Sequence, residues 1–412
     1  MTDLRKNSLW SLASICSYSI AQFWILSFMA RMGDIDQIGF YSLALSVTTP
    51  LIVFSNLNLR YIYVTDNSVN YQIQDYYRLR LIVSLFVFVA VMILNYFLKY
   101  NLLVKFLIII VTFYKILETL SDLSFAIHQK RQQMHLISRS IFFRSFLILL
   151  TFTISFYLSR DILVSSIFIL VSYFFSFVIF DYPIIKNVEN NSFDLFNIQN
   201  VNLESLKKIF LLGFPMGVSL FIYSLFVNVP RFFIEEYLGV EDLGIYSALY
   251  YLYSSTLLIT IAFTDAALPH FTIYEQRNDH YLFKKLLYKY INLAIFFVSF
   301  FSIIIWLSDG FFLRVAFGNS FSSKNDIFLI GFLITGIEIL NKIVSTALIA
   351  KRKFKIQPYI NFLSLVVLIF LFILFRESLS LIKVLYFQAI ALSLQLLMFC
   401  IVFFRGTPFI RP

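Results

Sequence analysis

Nine ionisable side chains stand inside or at the rims of strongly apolar runs: Arg60, Lys115, Glu118, Asp122, Arg144, Arg231, Asp265, Glu338 and Lys342. A charge in such a place costs free energy and is a functional-site candidate by default. The cations could hold an anionic cargo, with arginine offering a planar fork of donors where lysine offers a point charge. The acids could accept bonds from a polar cargo or carry a coupling proton. No glycine-rich phosphate loop accompanies them. The four histidines, His128, His135, His270 and His280, are expected in inner loops without metal-ligand spacing, so neither a metal nor a cofactor is expected.

The densest constellation is Asn228-Val-Pro230-Arg231, followed by Glu235 and Glu236 and then by Gly239-Val-Glu-Asp-Leu-Gly244. Pro230 has no backbone N–H for the helix ladder, so a kink that presents Arg231 to a polar interior is expected. The alternative is an Arg231 that snorkels to the outer headgroups with Glu235 as its partner one turn on.

Two further runs carry charged stripes. In the run 102–126, Lys115, Glu118 and Asp122 fall within roughly 60° of one another on a helix, beside Thr112 and Thr119. In the run 327–350, Glu338 and Lys342 are spaced i,i+4, flanked by Thr335, Asn341, Ser345 and Thr346. Two readings stay open: a water-filled cavity for a polar, anionic cargo, or static ion pairs that hold the bundle together. Arg60 and Arg144 lie nearer the inner interface, where anchoring by the headgroups is the plain reading. Asp265 and Pro269 are expected to cap and kink their run near its end, with an acid there able to titrate.

The elements that must position these groups are membrane helices. Apolar residues make up 60% of the 412-residue chain and charged residues 14%, against about 45–50% and 25% in soluble domains. Twelve runs are long enough to cross a bilayer: 9–30, 40–62, 79–98, 102–126, 139–158, 162–181, 209–237, 245–268, 286–308, 327–350, 357–375 and 379–404. With the N-terminus inside, 21 of the 33 Lys and Arg residues fall on the cytoplasmic side and eight outside. That bias puts both termini in the cytoplasm. The net charge of +10 is therefore a topology signal, since no basic stretch is dense enough for nucleic acid. Cys16 and Cys400 sit in apolar runs at opposite ends of the chain, expected as small apolar residues of the bundle. The many Phe and Tyr residues are expected mostly at the lipid and interface faces.

An internal repeat is visible. Gly39-Phe-Tyr-Ser and Gly244-Ile-Tyr-Ser stand 205 residues apart, each behind a short acidic turn (Asp34 and Asp36; Glu241 and Asp242). The expected organisation is an N-terminal six-helix half, 1–181, a cytoplasmic linker, 182–207, and a C-terminal six-helix half, 208–412. Six spans per half make the repeats parallel, facing each other across a central cleft. The longest outer segment, about 309–326, is too short for a catalytic domain, so an enzyme is not expected.

Four motifs carry a family resemblance: Asn228-x-Pro-Arg231 with Leu238-Gly239 and Gly244-x-Tyr-Ser-Ala248; Gly39-Phe-Tyr41-Ser42; Asn56-Leu-Asn58-Leu-Arg60 leading to Asp66; and Ser121-Asp122 to Gln129-Lys130-Arg131. Together they resemble bacterial O-antigen and capsule repeat-unit flippases, the polysaccharide transporters of the multidrug/oligosaccharidyl-lipid/polysaccharide flippase superfamily. The resemblance implies a multi-pass protein of the bacterial cytoplasmic (inner) membrane. It implies translocation of undecaprenyl-diphosphate-linked oligosaccharide repeat units, in association with polysaccharide polymerase and chain-length machinery. Arg231, Lys115 and Lys342 would then be cavity cations, and Glu118, Asp122 and Glu338 coupling or sugar-binding acids. Two alternatives stay open: a cation-coupled multidrug exporter of the same superfamily, which would favour acids over bases, and a membrane-embedded glycan polymerase or transferase.

Overall fold

The computed structural model describes residues 2–33, 35–65, 71–187 and 203–404. Asp34, Asp66, Arg405, Arg411 and most of the 182–207 connection lie outside the described residues, as do the side chains of Arg5, Lys6, Lys186 and Asp265. Every regular element among the described residues is helical, as lipid demands of a chain that must satisfy its backbone internally.

The first unit contains α1 (Thr2–Met32), α2 (Ile35–Ser55), α3 (Leu59–Thr65), α4 (Ile73–Phe97), α5 (Leu102–Lys130), α6 (Met134–Ser159), α7 (Ile162–Ser176) and α8 (Tyr182–Asn187). A π-helical segment, Phe177–Asp181, joins α7 to α8. Then follow α9 (Leu203–Leu238), α10 (Val240–Gln276), α11 (His280–Leu307), α12 (Phe311–Phe317), α13 (Asn325–Ala350), α14 (Gln357–Leu374) and α15 (Leu381–Phe404). Among the described residues, ten helical segments are long and apolar enough to cross a membrane. The other two long helices are α5, 29 residues with Lys115, Glu118 and Asp122 in its middle, and α10, 37 residues. The twelve expected runs thus each correspond to a long helical segment.

Some boundaries differ for physical reasons. The run 40–62 breaks at Leu57 and Asn58, both at positive φ (43° and 52°), which separates α2 from α3. This turn is packed by α9: a Cβ on Gly213 would lie 2.6 Å from the Leu57 carbonyl oxygen, and one on Gly217 2.8 Å from Leu57 Cδ2. Small residues four apart thus let two membrane backbones approach. Asp265 and Pro269 do not end their helix; α10 continues to Gln276, since a membrane helix tolerates the single hydrogen bond a proline removes. The outer segment 309–326 is ordered into α12 and a 3₁₀ turn, Asn319–Lys324. The histidines are on helices rather than in loops: His128 in α5, His135 in α6, His270 in α10 and His280 in α11. Cys16 is exposed on the outer surface of α1.

The chain divides into two compact units, Met1–Ser224 and Leu225–Pro412, with the boundary inside α9. Each unit packs its helices in the same order. In the first, α2 and α4 pack on α5, α5 on α7, and α6 on α7. In the second, α10 and α11 pack on α13, α13 on α15, and α14 on α15. The first helix of each set meets the fifth: α1 lies along α6, and Phe233 of α9 stacks on Phe372 of α14 at 4.7 Å. In both units the central helix, α5 or α13, is the one that carries the charged stripe.

Candidate functional site: charged stripes set among tyrosines

In the first unit, Lys115 and Glu118 stand near the middle of α5, one turn apart. Lys115 Nζ donates to Glu118 Oε2 at 2.7 Å, and the two side chains keep 20% and 29% of their surface open. That open surface is not on the outer face of the helix. The exposed apolar residues Phe106 and Phe113 lie roughly opposite the stripe at 100° per residue. Tyr18 of α1 donates to Glu118 Oε1 at 2.9 Å and shares a hydrogen bond with Tyr173 of α7 at 3.2 Å. Tyr173 stacks on Tyr114 at 5.1 Å, whose hydroxyl meets that of Tyr41 at 3.0 Å. The ion pair is thus the polar end of a chain of phenols drawn from α1, α2, α5 and α7. A cation, an acid and donor hydroxyls stand together where a phosphate or sugar would otherwise lose its water.

Asp122 does not join this pair. It turns to Arg60 of α3, whose Nη1 donates to Asp122 Oδ1 at 2.9 Å while Nε donates to Gln129 Oε1 at 2.7 Å. Arg60 is therefore a bonded partner of α5 rather than a headgroup anchor. Arg144 corrects the anchoring reading further. It is 3% exposed, its partner Asp181 is fully buried, and Nη2 donates to Asp181 Oδ2 at 3.2 Å. Ser121 donates to the same oxygen at 2.5 Å and Ser140 to Oδ1 at 3.3 Å. The guanidinium also lies against the rings of Tyr173 (5.1 Å) and Phe125 (5.7 Å). Asp181 closes the π-helical segment, whose extra residue per turn aims its carboxylate inward between α5 and α6.

In the second unit, Arg231 is half-buried and turns back along its own helix. Nη1 donates to Asn228 Oδ1 at 2.8 Å and to the Val227 carbonyl at 3.4 Å, and the guanidinium lies 4.7 Å from the ring centre of Tyr250 and 6.0 Å from that of Tyr246. The snorkelling arrangement expected a partner in Glu235; the guanidinium instead points to the previous turn and to the tyrosines of α10. Gln388 of α15 donates to the Tyr246 hydroxyl at 2.8 Å. Glu338 of α13 lines a cavity of about 20 Å³ with Tyr250, Tyr253, Thr335 and Gln388, room for a single water. Gly331 lies against the Tyr253 ring, where a Cβ would overlap it. Lys342, one turn beyond Glu338, is half-buried. Asp265 lies on α10, with its side chain outside the described set.

Sequence reasoning missed the tyrosines and Asp181. Tyr41, Tyr114, Tyr173 and Tyr246 are all nearly inaccessible, against the expectation that aromatic bulk faces lipid. The available signal was the hydroxyl itself. A phenol in mid-membrane needs a hydrogen-bond partner, so a tyrosine far from an interface implies an inward face. Among the described residues no three His, Cys, Asp or Glu side chains gather into a metal-holding group.

Comparison with known proteins bears on the whole chain. The profile of the family described as polysaccharide biosynthesis protein matches residues 4–275. The capsular polysaccharide biosynthesis protein CapF of Staphylococcus aureus is 28% identical over 363 residues, covering 86% of this chain and 88% of that one. Among solved structures, an inward-facing multidrug resistance transporter of the MATE family aligns with a TM-score of 0.76 at 10% identity, over 93% of this chain and 94% of that one. The lipid II flippase MurJ in an inward closed conformation aligns at 0.74 and 15% identity, over 96% and 87%. At such identities the likeness is one of fold. The chain is a multi-pass membrane protein with this fold, and it belongs to the polysaccharide biosynthesis protein family.

Proposed function

We propose that the protein moves an undecaprenyl-diphosphate-linked oligosaccharide repeat unit from the inner to the outer leaflet by alternating access of its two six-helix halves, without chemical change to the cargo. The observation that carries this reading is the repeated setting of a cation among tyrosines within the span: in the first unit Lys115, linked through Glu118 to Tyr18 and Tyr173, and in the second Arg231 with Tyr246 and Tyr250. Cations suit the diphosphate, and phenol faces and hydroxyls suit sugar rings. The capsule assignment of the Staphylococcus aureus relative and the lipid II cargo of MurJ support the same class of cargo. In this reading Arg231, Lys115 and Lys342 hold the diphosphate, and Glu118, Asp122 and Glu338 take sugar hydroxyls or a coupling proton.

Arg231 gives the sharpest test. Arg231→Ala removes both the charge and the planar donors, so surface polysaccharide is expected to fall to background at unchanged protein level, with lipid-linked units accumulating in the inner leaflet. Arg231→Lys keeps the charge without the fork and should retain part of the output. Normal polysaccharide from a stably inserted Arg231→Ala protein would take this residue out of the site. Export of a cationic dye by the purified protein, with no movement of lipid-linked glycan, would favour the multidrug reading instead. Turnover of a lipid-linked glycan would favour a polymerase.

A further inference from the structure

Two motifs of the sequence meet at the cytoplasmic end of the first unit: Asn56-Leu-Asn58-Leu-Arg60, and Asp122 to Gln129-Lys130. Besides the bonds from Arg60 to Asp122 and Gln129, Lys130 donates to the Tyr63 carbonyl at 3.3 Å and lies 4.5 Å from that ring centre. The short helix α3 is thus held down on α5 at two points. The joint that folds it down is strained. Leu57 and Asn58 both stand at left-handed φ (43° and 52°), a costly setting for a leucine. A right-handed pair there would carry α2 straight on into α3, as the apolar run 40–62 is patterned to do.

Beside this joint lies Arg80 of α4. It is fully buried, in the stretch of α4 whose Tyr76, Tyr77, Leu79 and Val83 form a core with Leu123 and Ile127 of α5. Positive charge at the cytoplasmic face does not account for it, because it reaches no headgroup. Nη1 donates to Asn56 Oδ1, the side chain just before the joint. Nε and Nη2 have no hydrogen-bond partner among the described residues. A guanidinium shut off from solvent with donors unused is costly, and such a group calls for an account. The acid within its electrostatic reach is Asp122, which Arg60 holds. The side chains of Arg60 and Asp122 keep 31% and 34% of their surface open. Arg60 can therefore trade the carboxylate for water, whereas Arg80 is sealed from it.

We propose that Arg80 is a positioning residue, the alternate partner of Asp122: as the Leu57–Asn58 joint straightens, Arg60 leaves and the carboxylate passes to Arg80. The Arg60–Asp122 pair is then a latch on α3, and Arg80 keeps Asp122 bonded when the latch is open. This is a two-state element in which a few residues at the end of a helix absorb the change of φ and ψ. Use of the latch during transport rests on the reading above; the exchange itself does not.

The test is pulsed dipolar spectroscopy of the full chain in nanodiscs, without Cys16 and Cys400, with spin labels on Thr65→Cys of α3 and Arg139→Cys of α6, both exposed positions. Two label distances are expected, one latched and one straightened. Arg60→Gln removes the latched pair alone, whereas Asp122→Asn removes both pairs. The ratio of straightened to latched molecules should therefore be about tenfold higher in Arg60→Gln than in Asp122→Asn, the effect of one hydrogen bond to a charged group. Arg80→Met should erase that difference, and Arg80→Lys should restore part of it. Arg60 and Asp122 are part-exposed, so the first comparison decides even where Arg80→Met fails to insert. Equal ratios in Arg60→Gln and Asp122→Asn, a difference that survives Arg80→Met, or a single distance throughout would each overturn the exchange. The measurement involves no glycan and no gradient, so the two readings fail separately. Exchange in a protein that moves no lipid-linked glycan keeps the latch and removes the transport reading; translocation with equal ratios does the reverse.

Discussion

Arg144 and Asp181 form the most completely buried ion pair among the described residues, at 3% and 0% exposure. Three serines, Ser121 and Ser140 on the carboxylate and Ser176 on the guanidinium, and two aromatic rings fill out the shell. A pair this deep need not stabilise the fold relative to apolar substitutes, but removing one partner leaves an uncompensated charge. Arg144→Ala should therefore destabilise the protein by about 3–5 kcal/mol, seen as a lower melting temperature in detergent. Arg144→Ala combined with Asp181→Asn should recover part of that loss, because the stranded carboxylate is gone. The half-open Lys115–Glu118 pair differs. Its side chains remain accessible at 20% and 29%, so exchanging the two charges should leave the melting temperature nearly unchanged. Equal destabilisation by both changes would mean that Lys115 and Glu118 are a structural bridge and not a lining.

At the scale of elements, α5 and α13 each occupy the centre of their packing set and each carry ionisable groups on one face. On α5 the apolar face, with Phe106 and Phe113, is turned away from that stripe. This is the arrangement expected of a helix with lipid on one side and a polar interior on the other. Single cysteines at 115, 118, 122, 338 and 342, in a background without Cys16 and Cys400, should react with a membrane-impermeant thiol reagent from one side of the membrane. Protection at all five positions would remove the cavity reading for both helices.

For the whole molecule, the bias of positive charge and the number of long helices set the topology. Reporter fusions after residues 72, 134, 195 and 278 should report cytoplasm, and those after 35, 160, 241 and 318 the outer side. A cytoplasmic position found outside would break the twelve-span order and with it the parallel relation of the repeats. The structure adds that the two compact units repeat one packing order, helix by helix. Their sequences betray this at only a few places, Gly39-Phe-Tyr-Ser and Gly244-Ile-Tyr-Ser foremost. Tyr41 and Tyr246 show why these places are alike: each is a buried phenol on the second helix of its set, bonded to Tyr114 on the fourth helix or to Gln388 on the sixth.

The sequence by itself determined the class of the protein: helical, membrane-spanning, twelve long segments, with charges on α5 and α13. Those features follow from local properties, since apolar length sets a span and 100° per residue sets a face. It also pointed to the family. Partner choice belonged to the tertiary structure. The i,i+3 spacing of Lys115 and Glu118 fixed their pairing, but nothing local told Asp122 to leave that stripe for Arg60, 62 residues away. Nor did spacing tell Arg144 to meet Asp181 across α6 and the π-helical segment. Arg231 could reach Glu235 or Asn228 equally well along its own helix, and the rings of Tyr246 and Tyr250 on α10 stand on the Asn228 side. An ion pair or buried phenol in a membrane is chosen by which helices pack together, because the bilayer offers no water to satisfy whichever group is left over.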